Sequence, residues 1–341
     1  GAMVLSMTAC AGNTAETTSA AAKSQETAAD TASKAEETTG AEASESETAA
    51  KAEGTTYKIG VLQLVQHTAL DAANDGFIAA LDDAGIAYEV DQQNASGDQS
   101  ACQTVASKFA NEKKDLILAI ATPAAQAMVG AVEDTPVLIT AVTDPAESGL
   151  VDTNEKPGAN VTGTSDLTPV KEQIDLLKQL VPEAKTVGVL YCSAESNSKI
   201  QADMAKEAIA AAGMESKEYT VSSSNEIQTV VQSMVGAVDA VYAPTDNVIA
   251  AGMATVGMVA GDNNLPVICG EAGMVQNGGL ATYGIDYYQL GYMTGQQAVK
   301  ILTEGASPAD MPIEYLPAEK CELTVNEETA QTLGIDVSGL K

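Results

Sequence analysis

The sequence predicts an α/β protein built from two similar, doubly wound parallel-sheet lobes joined by three hinge crossings. Three observations predict it. From residue 56 onward, short apolar runs alternate with segments whose apolar residues recur at helical spacing. That alternation gives a parallel sheet covered by helices on both faces. Midway along the chain the theme restarts, and three strand-like segments recur in order at nearly one offset.

Lys58-Ile59-Gly60-Val61-Leu62 is the first apolar run. Residues 68–84 then carry Leu70, Ala73, Phe77, Ala80, Leu81 and Ala84 at helical spacing. Apolar runs at 115–120 and 137–142 follow, with a helical segment between them. Ile59-Gly60-Val61-Leu62 is echoed by Val187-Gly188-Val189-Leu190. Asp115-Leu116-Ile117-Leu118 is echoed by Asp239-Ala240-Val241-Tyr242, and Thr135-Pro136-Val137-Leu138-Ile139 by Leu265-Pro266-Val267-Ile268-Cys269. A helix is expected over 246–260 and another over 286–304. Gly60, Gly76 and Gly188 are expected to allow close helix–strand packing.

Doubly wound sheets bind ligands beyond the carboxyl ends of their strands, where helix N-termini also point. Two such lobes facing each other make a cleft. Crossings are expected near Gly163–Asp166, Gly284–Asp286 and Glu314–Pro317. The N-terminal lobe is therefore 56–164 plus 285–315, and the C-terminal lobe 165–284 plus 316–341.

Before the first lobe, Met7-Thr8-Ala9-Cys10 resembles a bacterial lipobox, with a small residue preceding the cysteine that becomes lipid-modified. Residues 1–10 read as the remnant of a signal peptide, though only Val4 and Leu5 of its apolar part are present. Residues 11–55 have no aliphatic side chain beyond alanine, so they cannot offset their ordering entropy. They are expected to form a disordered tether reaching roughly 35–40 Å. No run of apolar residues is long enough to span a bilayer, so lipid on Cys10 is the one expected membrane anchor. This places the protein outside the cytoplasm, on the outer face of the cell membrane.

The chain has net charge −30, and nine acidic and three basic residues lie in the tether, leaving −24 for the rest. Such a field repels nucleic acid and anionic headgroups, but not a zwitterion or a cation. All 17 basic residues are lysine. A bidentate guanidinium clamp on a ligand carboxylate is thus absent, and backbone N–H groups, hydroxyls or lysine must serve. Cys102, Cys192, Cys269 and Cys321 lack C-x-x-C spacing and histidine partners, so no metal site is expected. No G-x-G-x-x-G follows the first strand and no phosphate-binding P-loop occurs, so no cofactor is expected. His67, the only histidine, would need a nearby nucleophile to act as a hydrolytic base, and no G-x-S-x-G is present. The chain does not read as an enzyme.

Several segments carry a family resemblance. Gln63-Leu64-Val65-Gln66-His67-Thr68-Ala69-Leu70-Asp71 followed by Gly76-Phe77 is similar to the opening signature of the tryptophan/tyrosine-type ABC transporter substrate-binding proteins. Asp144-Pro145, Gly163-Thr164-Ser165, Pro244-Thr245-Asp246-Asn247 and Gly284-Ile285-Asp286-Tyr287-Tyr288-Gln289-Leu290-Gly291 are similar too. Thr68 departs from the pattern, where the family often has proline. The resemblance covers about 56–335. It implies a lipoprotein of the type I periplasmic-binding fold that captures a small solute between its lobes and delivers it to an ABC permease. Characterised relatives bind aromatic amino acids. A monomer is expected.

The expected ligand contacts are Gln63, His67, Thr68 and Leu70 after the first strand, and Thr122 and Ala124 around Pro123. Thr143 and Asp144 follow the run at 137–142. Tyr191 and Asn197, Thr245 and Asp246, Glu271 and Asp286 complete the set. Each has a structural alternative. His67 or Thr122 can cap a helix, and Tyr191 can pack in the core. Asp246 can pair with a ligand ammonium or simply cap the helix that follows, and Asp286 can be a hinge residue. Two other readings stay open. One is a receptor for a nucleoside or another small zwitterion or cation. The other is a sensory or surface binding protein without transport.

Overall fold

Two six-stranded sheets organise the chain, seen in a computed structural model that describes residues 54–340. Cys10 and residues 11–53 of the expected tether lie outside the described residues. The first sheet is built from β1 (Tyr57–Gln63), β2 (Tyr88–Asn94), β3 (Leu116–Ile120), β4 (Val137–Val142), β5 (Val161–Ser165) and β11 (Glu314–Tyr315). Its order is β11-β5-β4-β3-β1-β2, and every pair is parallel. The second comprises β6 (Thr186–Cys192), β7 (Glu215–Val221), β8 (Ala240–Ala243), β9 (Val267–Cys269), β10 (Ala281–Gly284) and β12 (Glu322–Val325). Its order is β12-β10-β9-β8-β6-β7, with only β12 antiparallel to its neighbour. Every residue of β3, β4, β8 and β9 is buried, as strands covered on both faces must be.

The duplication extends to hydrogen bonds. Asp115, just before β3, accepts from the Lys58 N–H of β1 at 2.8 Å. Asp239, just before β8, accepts from the N–H groups of Lys185 and Thr186, both at 2.9 Å. Each aspartate ties a central strand to its neighbour at the end away from the cleft.

The helices are α1 (Thr68–Asp83), α2 (Gln99–Glu112), α3 (Thr122–Val129), α4 (Val170–Leu180), α5 (Ser196–Ala211), α6 (Ile227–Met234), α7 (Asn247–Ala251), α8 (Met253–Asp262), α9 (Ala272–Gln276), α10 (Tyr287–Glu304) and α11 (Glu327–Leu333). The single helix expected over 246–260 is broken at Gly252 into α7 and α8. Ile227 of α6 packs where a Cβ at 252 would sit. Gly60 meets the Phe109 ring of α2, with 2.8 Å between that ring and the place of a Cβ. Gly76 differs from its expected role: it packs helix against helix, not helix against strand. A Cβ there would overlap the Tyr288 carbonyl of α10.

Three segments pass between the sheets: 166–169 after β5, 285–286 after β10 and 316–321 after β11. Through the second, α10 leaves the second sheet and packs on α1, β4 and β5 of the first. Cys102, Cys192 and Cys269 are buried and Cys321 is partly exposed, all four as free thiols. No helix among the described residues is long and apolar enough to cross a membrane.

Candidate functional site

The carboxyl ends of the two sheets face one narrow pocket, and residues from both lobes and from one crossing line it. The first lobe supplies His67 and Leu70 at the start of α1, Ala141 of β4 and Tyr287 at the start of α10. The second supplies Asn197 of α5, Thr245 and Asp246 after β8, Asn247 and Ala250 of α7, and Glu271 before α9. Asp166 comes from the first crossing. The open volume is about 10 Å³, room for about one water. A ligand the size of an amino acid enters only if the lobes part.

Local backbone shapes the pocket wall. The register between β4 and β5 shifts between Ile139 and Val142. Within that irregularity Ala141 takes a left-handed φ of 55°. Ala121, at the end of β3, has φ 83°. An alanine in this region costs of order 1–3 kcal/mol, and such strain clusters at binding sites.

The polar groups are held by helix caps and by contacts between distant segments. Asp246 caps α7: Oδ1 accepts from the Ile249 N–H at 2.8 Å and Oδ2 from the Cys192 N–H at 2.5 Å. Glu271 caps α9, accepting from the Gly273 and Met274 N–H groups. The Tyr287 hydroxyl donates to Asp166 Oδ2 at 2.7 Å. Asn247 donates through Nδ2 to Glu195 Oε2 at 2.6 Å, and its Oδ1 lies 3.3 Å from His67 Nε2 on the opposite lobe. Gln201 Nε2 donates to Thr143 Oγ1 at 3.0 Å, a second bond between lobes.

Burial dominates the electrostatics. It pushes the Asp166 carboxyl up to about 6. Glu271 is pushed up to about 7 by burial, with the nearby Asp166 charge adding to it. Glu195 is pushed up to about 8 by burial and then by the charge of Asp246. Burial also raises Asp246 and lowers His67, which favours a neutral imidazole. Three side-chain atoms on the pocket wall are buried without a hydrogen-bond partner: His67 Nδ1, Asp166 Oδ1 and Asn197 Oδ1.

Of the residues expected from sequence, His67, Leu70, Asn197, Thr245, Asp246 and Glu271 line this pocket. The other eight do not. Gln63 turns to the Val65 carbonyl and Asp71. Thr68 packs on Gly273 across the cleft. Ala124 is in the core, and Thr122 is buried with its Oγ1 unpartnered. Thr143 takes its bond from Gln201, and Asp144 accepts from the Ala146 and Glu147 N–H groups of its own loop. Tyr191 is in the core, its hydroxyl on Glu218, and so is not placed to stack on a ligand here. Asp286 caps α10 through the Gln289 N–H at 3.1 Å. Ala141, Asp166, Asn247, Ala250 and Tyr287 were not among the expected contacts. Asp166 had a signal in the sequence, a carboxylate at an expected crossing. Asn247 and Tyr287 lie inside segments that carry the family resemblance.

The family model described as ABC transporter substrate binding protein matches residues 58–339. The chain belongs to that family. Its fold is the type I periplasmic-binding fold, and membership makes it an extracytoplasmic solute-binding protein of an ABC transporter, a family of receptors and not of enzymes. A protein of Clostridioides difficile (strain R20291) named tyrosine-binding protein is 45% identical over 279 residues, 81% of this chain and 80% of that one. A Streptococcus pneumoniae domain solved in complex with L-Trp is 39% identical, with TM-score 0.80, over 84% of this chain and 97% of that one. The ligand-free, open structure of a substrate-binding protein with adhesive properties from Clostridium difficile is 46% identical over the same shares, with TM-score 0.64. The open relative is the more similar in sequence and the less similar in shape. The lobe arrangement of this chain is therefore nearer that of the ligand-bound family member.

Proposed function

We propose that this protein captures an aromatic amino acid between its lobes and presents it to the permease of an ABC importer. The observation that carries the reading is the trio of buried, unpartnered atoms on the pocket wall. An unpaired buried polar group costs about 1–3 kcal/mol, so a site that retains three is built for a ligand that pairs them. Asp166 Oδ1 is the anionic partner for the ammonium, the role that sequence had offered to Asp246. Both Asp246 oxygens are already taken by backbone N–H groups. With no arginine in the chain, the ligand carboxylate falls to hydroxyls and N–H groups. Leu70, Ala141, Ala250 and the Tyr287 ring supply apolar wall for an aromatic side chain. A nucleoside brings no charge to match Asp166. The first lobe comprises 56–164 plus 285–315, the second 165–284 plus 316–341, and closure is a hinge motion on the three crossings.

Calorimetric titration with L-tyrosine and L-tryptophan tests the reading, together with mass spectrometry of the denatured protein for a co-purified amino acid. A ligand at 100 times its Kd is expected to add about 2.7 kcal/mol of stability. No binding of either amino acid by well-folded protein would rule the reading out.

Acidity should affect binding and folding in opposite directions. Ammonium binding needs an ionised Asp166, so affinity is expected to fall as pH drops through about 6. The free protein should behave otherwise. Its buried carboxyls hold protons to higher pH than they do in the unfolded chain. Between about pH 4 and 8 the folded state therefore binds more protons, and stability rises as pH falls. Melting curves with and without ligand at pH 5 and 8 check both signs. Ligand binding that strengthens toward pH 5 would exclude Asp166 as the ammonium partner.

Anchoring is part of the proposal. Lipid on Cys10 holds the protein at the outer face of the membrane, and residues 11–55 act as a tether. In the full precursor expressed in a bacterium, Cys10→Ser is expected to release the protein into the medium. Retention in the membrane fraction would count against the lipobox.

A further inference from the structure

We propose that Glu195, acting through Asn247, fixes His67 as a hydrogen-bond acceptor that reads a second donor on the ligand, beyond its ammonium. This rests on the amino-acid reading above. The second donor is then a phenol O–H or an indole N–H, and the site discriminates against an unsubstituted phenyl ring.

Glu195 is buried. Three N–H groups converge on its Oε2: Asn247 Nδ2 at 2.6 Å, Asn197 Nδ2 at 3.2 Å and the Asn247 backbone N–H at 3.4 Å. An oxygen receiving three donors is an acceptor whether or not a proton sits on Oε1. The Asn247 amide is thereby oriented. Its NH₂ faces Glu195, so its Oδ1 faces His67 Nε2 at 3.3 Å. An amide oxygen only accepts, so Nε2 carries the proton. A neutral imidazole with its proton on Nε2 presents a bare lone pair at Nδ1. Nδ1 is the atom that is buried and unpartnered on the pocket wall. Asn197 is oriented in the same way: its Nδ2 donates to Glu195, and its Oδ1 is left as an acceptor. Glu195 does not line the pocket itself, so it is a positioning residue.

His67 sits on α1's N-cap position yet makes no side-chain capping bond to that helix. Its imidazole is therefore not engaged in a local structural role. Leaving a buried acceptor unpaired when phenylalanine replaces tyrosine is expected to weaken binding by about 10- to 100-fold.

Two measurements decide it. The chain contains one histidine, so the ¹⁵N spectrum of the imidazole reads a single site. The ligand-free protein at pH 7 should show the Nε2–H tautomer; an Nδ1–H tautomer or an imidazolium overturns the proposal. Calorimetry with L-tyrosine, L-tryptophan and L-phenylalanine then compares wild type, Glu195→Gln, Glu195→Ala and His67→Leu. Glu195→Gln keeps an oxygen for the three N–H groups and should keep the tyrosine-to-phenylalanine ratio. Glu195→Ala and His67→Leu should bring that ratio within about threefold of unity. A ratio unchanged in His67→Leu overturns the proposal even if Glu195→Ala does not fold. If neither tyrosine nor tryptophan binds, the amino-acid reading fails, while the imidazole spectrum still decides the tautomer.

Discussion

Asp166→Asn is expected to weaken amino-acid binding by about 2–4 kcal/mol, roughly 30- to 1,000-fold, with little loss of folding stability. Asp166 is buried, one of its oxygens accepts from the Tyr287 hydroxyl, and the other has no partner. Asparagine retains an oxygen for Tyr287 but turns an NH₂ group toward the ligand ammonium. Two donors then face each other where a carboxylate met a cation. In the free protein the substitution removes a group that burial disfavours in its charged form, so stability holds or rises. Asp246→Asn makes the contrast. Each Asp246 oxygen accepts a backbone N–H, from Ile249 and from Cys192, and asparagine can accept only one of them. That change is expected to cost about 2 kcal/mol of folding stability. Titration calorimetry and urea unfolding of both variants separate the effects. Wild-type affinity in Asp166→Asn would overturn the ammonium role given to Asp166.

Gly291→Ala is expected to cost about 3 kcal/mol or more of folding stability. The backbones of α1 and α10 touch. A Cβ at Gly291 would overlap the Ala73 carbonyl, one at Gly76 the Tyr288 carbonyl, and one at Gly295 lies 2.6 Å from the Phe77 carbonyl oxygen. Rigid backbone cannot yield as a flexible side chain does, so the helices must separate. Because α10 begins with Tyr287, that separation also moves the partner of Asp166, and ligand affinity should fall with stability. Gly261→Ala in α8 is the control. Nothing lies within 4 Å of its added methyl group, and alanine is the better helix former by about 1 kcal/mol. Equal stability of Gly291→Ala and wild type in urea would refute the close-packing account.

The repeated strands were legible because a strand buried on both faces is a mostly apolar run, unbroken at 116–120 and interrupted only by Thr140 at 137–142. The carboxyl ends of those strands followed from the order of elements, and they located His67, Thr245 and Asp246. The break at Gly252 was not legible, since it depends on Ile227 from another helix.

By itself the sequence determined the class of fold, the repeat, the acidic field and the lack of any arginine. Those are properties of composition and of neighbours along the chain. Only the tertiary structure decided which carboxylate is available to a ligand. Asp166, Asp246, Glu271 and Asp286 all read alike, as a carboxylate at the end of a strand or just before a helix. Asp246 caps through a residue three positions away, and Asp286 does the same. Asp166 is held by a phenol 121 positions distant, and His67 meets an amide 180 positions away. A carboxylate that caps its own helix spends its lone pairs locally. One anchored by a distant side chain can keep an oxygen for the ligand, and only folding brings that side chain near.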